Sequence, residues 1–251
     1  MRMLFSIIIF AFFPPYAVSE DDPGWSGSTE LGLIFTQGNT NSTSAKTNID
    51  VDQNLESWRN EYEVNMLFKE DQITDEETGE DETEKTAEKY SASFKSNYKL
   101  ESDHSKLFIF ISHSDDKFGG IRKYTTISGG WGSRIFETPN SYLDADIGPG
   151  YAFGEQAEDK DGEDGEDIED IIVRISAAYL WTISENARFK QEFSTEAGED
   201  NIRSILETSL TTKINSSFKM KLGVEVTHNS EVSDDTRNTD TESTISLLYS
   251  F

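Results

Sequence analysis

The sequence predicts an all-β fold: one transmembrane, antiparallel, up-and-down β-barrel of about twelve strands. Both termini are expected on the periplasmic side and long acidic loops on the opposite, extracellular side. Three observations carry this reading. The end of the chain alternates, with Phe251, Tyr249, Leu247, Ile245, Ser243 and Thr241 on one face and Ser250, Leu248, Ser246, Thr244 and Glu242 on the other. A period of two is that of a strand with one face in an apolar medium. Similar segments recur along the whole chain, and the connections between them alternate between short and long.

In chain order, the amino terminus comes first. Arg2 precedes an apolar run from Met3 to Phe13, followed by Pro14, Pro15 and Ala17-Val18-Ser19. A short positive region, an apolar region and a small-x-small site read as a secretory signal peptide over residues 1–19. Cleavage before Glu20 would leave a barrel over 20–251. As a helix the apolar run reaches only about 16 Å, against the ~30 Å of a bilayer core. The chain has no cysteine, which fits a Gram-negative envelope barrel.

The alternating segments fall near 25–36, 42–54, 58–69, 87–100, 105–114, 123–136, 142–153, 171–183, 187–197, 202–214, 217–228 and 239–251. Their apolar faces include Leu31, Leu33 and Phe35; Tyr62, Val64, Met66 and Phe68; Val173, Ile175 and Tyr179; and Met220, Leu222 and Val224. Aromatic residues gather at the predicted ends, where an apolar body and polar tip suit a membrane interface. Trp25, Trp58, Tyr98, Trp181, Phe189, Phe218 and Tyr249 fall at the periplasmic rim, and Phe68, Tyr90, Tyr151 and Phe153 at the outer rim. Leu107 to Ile111 is apolar on both faces, so alternation sets no register there. Hydrophobic content is 35%, low for a soluble globular domain but enough for a sheet with one lipid face.

The opposite faces are charged, with the two signs nearly balanced. Candidate lumen-lining residues are Lys46, Arg59, Glu61, Glu63, Lys95, Arg134, Asp144, Asp146, Arg174, Arg188, Glu192, Arg203, Glu207, Lys219 and Glu225. Arg122 is assigned inward as well. These charges either line a water-filled pore or pair across the lumen and close it. Neighbours of opposite sign, such as Arg188 with Glu192 and Lys219 with Glu225, favour pairing. Gly130, Gly132, Gly148, Gly150 and Ala152 form an inward row of small residues, with Gly130 expected opposite Gly148 across the turn near Asn140. Such glycines let a sheet bend or a large side chain pack on the wall, or else widen a conduit locally.

The formal net charge is −26 and resides mostly in residues 70–86 and 154–170. It argues against nucleic acid as a partner. Runs of like charge stay solvated. Asp159 to Asp164 faintly resembles a calcium loop but has Asp164 where the sharp turn needs glycine, so a solvated acidic loop is the larger expectation, with loose screening by divalent cations near lipopolysaccharide beside it. No catalytic constellation emerges. The histidines are His104, His113 and His228, and His113-Ser114-Asp115 cannot converge because adjacent strand residues face opposite sides. No metal or cofactor motif is found, and the chain is not read as an enzyme. A hydrolase is the least favoured alternative, after a soluble periplasmic β-barrel binding a small ligand.

Trp25 to Leu33 with Thr36-Gln37-Gly38-Asn39-Thr40, Asp116 to Thr126, and Leu143 to Tyr151 with its Gly148-Pro149-Gly150-Tyr151 resemble the YdiY-like salt-induced outer-membrane proteins, a domain-of-unknown-function family. The resemblance implies an outer-membrane barrel, while the modest strand number and the density of long inward side chains point to a narrow or closed porin-like channel, or a structural envelope protein, in the outer membrane of a Gram-negative bacterium. It also implies a link to salt or osmotic response. Outer-membrane lipid, lipopolysaccharide and the assembly machinery would be the partners, with Tyr249 and Phe251 as the assembly signal. The resemblance supplies no substrate and no catalytic residue.

Overall fold

The computed structural model describes residues 24–36, 41–74, 81–101, 104–157, 165–232 and 237–250. The expected signal peptide, Phe251 and the calcium-like stretch Asp159–Asp164 lie outside the described residues.

Twelve strands are present: β1 Gly24–Thr36, β2 Asn41–Asn54, β3 Trp58–Thr74, β4 Asp81–Lys99, β5 Ser105–Asp116 and β6 Ile121–Thr138, then β7 Ser141–Gln156, β8 Asp167–Ser184, β9 Ala187–Ala197, β10 Ile202–Lys213, β11 Phe218–Asn229 and β12 Thr239–Ser250. Each pairs antiparallel with its sequence neighbours, and β1 pairs with β12 to close the barrel. Closure removes the sheet edges that neither water nor a neighbouring strand would satisfy in lipid.

Side chains that meet across non-adjacent strands define the inside. Lys95 of β4 reaches Asp146 of β7 at 2.5 Å, and Thr126 of β6 reaches Glu196 of β9 at 2.9 Å. By alternation from these, Leu31, Ile109, Ile171, Val173, Ile245 and Leu247 stand on the outer wall, all exposed, Ile171 at 79%. The pattern is sharpest in β8, where Ile168, Asp170, Ile172 and Arg174 are buried and the residues between them exposed. Aromatic rings touch around the end of the barrel nearest the chain termini: Trp25 with Tyr62, Trp58 with Tyr98, Tyr179 with Phe189, and Phe218 with Tyr249. Tyr151 and Phe153 pair at the far end.

Two differences from the sequence expectation concern the acidic stretches. Residues 70–86 and 154–170 are not loops throughout. β3 and β4 stay paired out to Thr74↔Asp81, past a bulge at Lys69/Glu70, and β7 and β8 stay paired out to Glu155↔Asp167. Alternation of apolar residues marks only the part of a hairpin that meets lipid. Beyond it both faces are charged, yet backbone pairing continues. The third difference is Arg122. A bulge between Ile121 and Lys123 turns Ile121 into the interior, 6% exposed, and Arg122 pairs instead with Asp115.

The turn from β4 to β5 contains the one non-glycine residue at positive φ among the described residues, His104 at 57°. The left-handed region costs a β-carbon about 1–2 kcal/mol, most for a branched side chain. His104→Val is expected to lower stability by about 1–2 kcal/mol and His104→Gly to leave it unchanged or slightly raised. Urea unfolding in lipid vesicles measures both.

Candidate functional site in the barrel interior

The interior has two unlike halves. Along β4 to β10 it is filled. The register Asn97↔Phe108 and Lys95↔Phe110 turns both phenylalanines of Leu107–Ile111 inward, with Leu107, Ile109 and Ile111 outside. Phe108 is 3% exposed. The Arg174 guanidinium lies over the Phe110 ring at 3.9 Å, and the Lys95 ammonium over Phe108 at 5.4 Å. Above them Ile121, Tyr124, Ala152, Ile168 and Ile172 form a buried apolar cluster. Arg203 of β10 covers the Tyr124 ring of β6 at 4.8 Å. Cations on aromatic faces gain most where water is excluded.

The glycine row makes this filling possible. A β-carbon on Gly132 would meet Asp146 Oδ1 at 1.9 Å, and one on Gly150 would meet Ile172 Cγ1 at 3.2 Å. At Gly132 and Gly150 the space is thus occupied by side chains, and at Gly130 and Gly148 the two strand backbones themselves close up, so the geometry is one of packing, not of a widened conduit.

Ion pairs knit the filled half together. Asp146, 7% exposed, receives Lys95, Lys106 at 3.1 Å and the Ser176 hydroxyl at 3.2 Å. Glu196 accepts from Arg174 at 3.3 Å and from Thr126. Arg134 donates to Asp144 at 2.8 Å and Glu137 at 3.1 Å, its plane over Tyr142. A buried charge with several partners avoids the desolvation cost of a lone one.

The other half, along β11, β12 and β1 to β3, is lined by charge. Lys46 meets Glu242 at 2.5 Å, and Lys221 meets Glu30 at 3.1 Å and Glu207 at 3.0 Å. Arg59 holds Asp52 at 3.0 Å and Glu61 at 3.5 Å. Asn65 donates to Glu63 at 2.8 Å, and Glu63 stands in register with Asp50. Glu225 lies in register between Glu207 and Glu242. One small cavity opens here beside Lys46, Asn65, Lys89 and Glu225, and another lies where the two halves meet, beside Lys89, Asp116, Arg203 and Asn229.

The partners foreseen along single strands are different ones. Glu192 pairs with Lys190 at 2.6 Å, not Arg188, which stands in register with Thr182 and Thr211. Lys219 donates to Ser250 at 2.9 Å, not to Glu225. Residues four or six apart on a strand are separated by about 13 or 20 Å, whereas two apart is about 7 Å. His113 binds Thr125 and His228 binds Thr239, each at 2.8 Å, while Ser114 lies on the opposite face from His113. Sequence reasoning missed Phe108, Phe110, Tyr124 and Ile172 as interior residues. The signal available was the doubly apolar Leu107–Ile111 beside the small Gly130 to Gly150 row.

Fold and interior together define the class: a closed twelve-stranded antiparallel barrel, apolar outside and charged within, partly filled by its own side chains. The chain belongs to the DUF481 family, a family of unknown function whose profile covers residues 29–251. It is similar to the uncharacterized protein YdiY of Escherichia coli (strain K12), 27% identical over 236 residues that cover 92% of this chain and 86% of that one. The resemblance to YdiY-like proteins read from the sequence therefore holds. Among solved structures, the translocator domain of autotransporter NalP from Neisseria meningitidis aligns with a TM-score of 0.49 at 9% identity, covering 92% of this chain and 90% of that one. The NanC porin aligns with a TM-score of 0.47 at 10% identity, covering 90% and 97%.

Proposed function

We propose that the protein is an outer-membrane β-barrel of a Gram-negative bacterium that acts as a narrow channel, closed in the state described. The carrying observation is the filled half of the interior, where Lys95–Asp146, Thr126–Glu196, Arg174–Phe110 and Arg203–Tyr124 all span non-adjacent strands. The outer wall supports the membrane reading, since Leu31, Ile171 and Ile245 are each more than half exposed. A soluble ligand-binding barrel would carry its apolar face inside. Lipopolysaccharide and loosely held divalent cations are the natural neighbours of the acidic far end, and Tyr249 with Phe251 would serve the assembly machinery. A link to salt or osmotic response rests on the family resemblance.

Planar-bilayer recording of the folded protein tests the channel. The unaltered barrel is expected to give no large stepwise openings. Combined Phe110→Ala and Tyr124→Ala should introduce them, because both rings stand in the interior beneath cations. Wide, steady openings of the unaltered protein would overturn the closed state. Silence of both proteins would overturn the channel and leave a structural envelope role, the second reading.

A further inference from the structure

The barrel wall is not uniformly laddered. β1 pairs with β2 over its whole length, from Gly24↔Asn54 to Thr36↔Ser42, and β12 pairs with β11 from Phe218↔Tyr249 to His228↔Thr239. Where β1 and β12 meet, the described residues in register are four pairs, from Ser28↔Ser250 to Leu31↔Leu247. Among the described residues no further register pair joins the two strands beyond Leu31 and before Leu247, toward the end remote from the chain termini. They still lie side by side. A β-carbon on Gly32 would stand 3.6 Å from the Ile245 carbonyl oxygen and 3.6 Å from Ser246 Cβ.

Side chains bridge this stretch from within. Lys46 of β2 reaches over β1 to Glu242 of β12, and its Cβ lies 3.7 Å from where a Gly32 Cβ would be. Lys221 of β11 reaches over β12 to Glu30 of β1, and the Ser246 hydroxyl of β12 donates to the same carboxylate at 2.5 Å. Glu30 is 2% exposed. Every strand pair elsewhere in the barrel is held by a ladder of eleven or more register pairs. Among the described residues this seam has the shortest ladder, and ionic bridges over an intervening strand cross it.

We propose that the β1–β12 seam beyond Leu31 and Leu247 is a lateral opening of the barrel wall, strapped shut from inside by Lys46–Glu242 and by Glu30 with Lys221 and Ser246. Releasing the straps parts the wall there and connects the interior to the surrounding lipid, with the four pairs nearest the termini as the hinge. Backbone groups without partners are costly in hydrocarbon, so the straps matter most where the ladder is absent. The opening does not depend on conductance along the barrel axis, so it stands or falls apart from the channel.

Hydrogen exchange of the folded protein in detergent micelles, read by mass spectrometry, tests this. Peptides over 239–246 should exchange about tenfold faster than peptides over 220–226 of β11. Combined Lys46→Met and Glu242→Gln should raise exchange about tenfold again over 32–36 and 239–246 alone. The exchanged pair, Lys46→Glu with Glu242→Lys, should restore the original rate. Combined Gly32→Cys and Ser246→Cys should form a disulfide, the 3.6 Å separation of their β-carbons being that of a natural bridge, and should slow exchange over both segments. Equal protection of β12 and β11, or faster exchange spread evenly over all strands after strap removal, would overturn the proposal.

Discussion

Gly148→Val is expected to prevent barrel closure, with loss of the compact, heat-modifiable band of the folded protein on a gel. The reason lies in the backbone. A β-carbon on Gly148 would sit 2.2 Å from the Gly129 oxygen and 2.7 Å from the Gly130 Cα. The opposing position is as tight, since a β-carbon on Gly130 would sit 2.1 Å from the Ile147 oxygen and 2.6 Å from the Gly148 Cα. Neither obstacle is the tip of a flexible side chain. Both belong to strands whose register is fixed on either side, at Ser128↔Gly150 and Trp131↔Ile147. Overpacking against movable side chains costs about 1–3 kcal/mol. Here the strands themselves must separate, so about 3 kcal/mol or more is expected, a large share of the ~5–15 kcal/mol that holds a domain together. Gly223→Ala is the comparison. Its β-carbon meets only the Thr244 hydroxyl at 2.9 Å and Lys221 Cε at 3.9 Å. The hydroxyl can rotate away, and the loss should stay below about 1 kcal/mol.

The contrast between these two glycines also indicates how much the sequence could disclose. That Gly130 would stand opposite Gly148 follows from folding the β6–β7 hairpin symmetrically about its turn, and the twelve strands follow from a period of two. Both are local properties. What the pairing distance would be, and what would fill the space beside the glycines, depends on strands brought together by closure. Phe110 lies under Arg174 because β5 and β8 curve toward one interior, and no pattern within either strand contains that. The same limit explains Lys46–Glu242, whose partners are at opposite ends of the chain, and the strand extensions past Lys69 and Gly154, where alternation ends at the edge of the lipid while the ladder continues. Bulges are a further obstacle: a single extra residue near Ile121 reversed the face read for Arg122.

Asp146→Ala should be the most damaging loss of a charge in the interior. Asp146 is the shared partner of Lys95 at 2.5 Å and Lys106 at 3.1 Å, and both ammonium groups are themselves largely enclosed. Removing the carboxylate leaves two cations in one buried site without the counter-charge they share, and the Ser176 hydroxyl that donates to it loses its acceptor. Breaking a buried pair by deleting one member costs about 3–5 kcal/mol, most of it the penalty of the charge left behind. The combined replacement Lys95→Met, Lys106→Met and Asp146→Leu removes every one of these charges at once, and the space beside Gly132 that the Asp146 carboxylate fills is left for the leucine. It should therefore be more stable than Asp146→Ala alone by about 2 kcal/mol, although it changes three residues instead of one. Urea unfolding midpoints in vesicles decide the matter, and a triple variant no more stable than the single one would mean that the site is governed by shape rather than charge. The triple variant also separates two means of closing the interior. It cuts the bridge from β4 to β7 while leaving Phe108 and Phe110 in place, so a barrel that stays silent in bilayers after this change is closed by its aromatic side chains, whereas one that begins to conduct is closed by Lys95–Asp146.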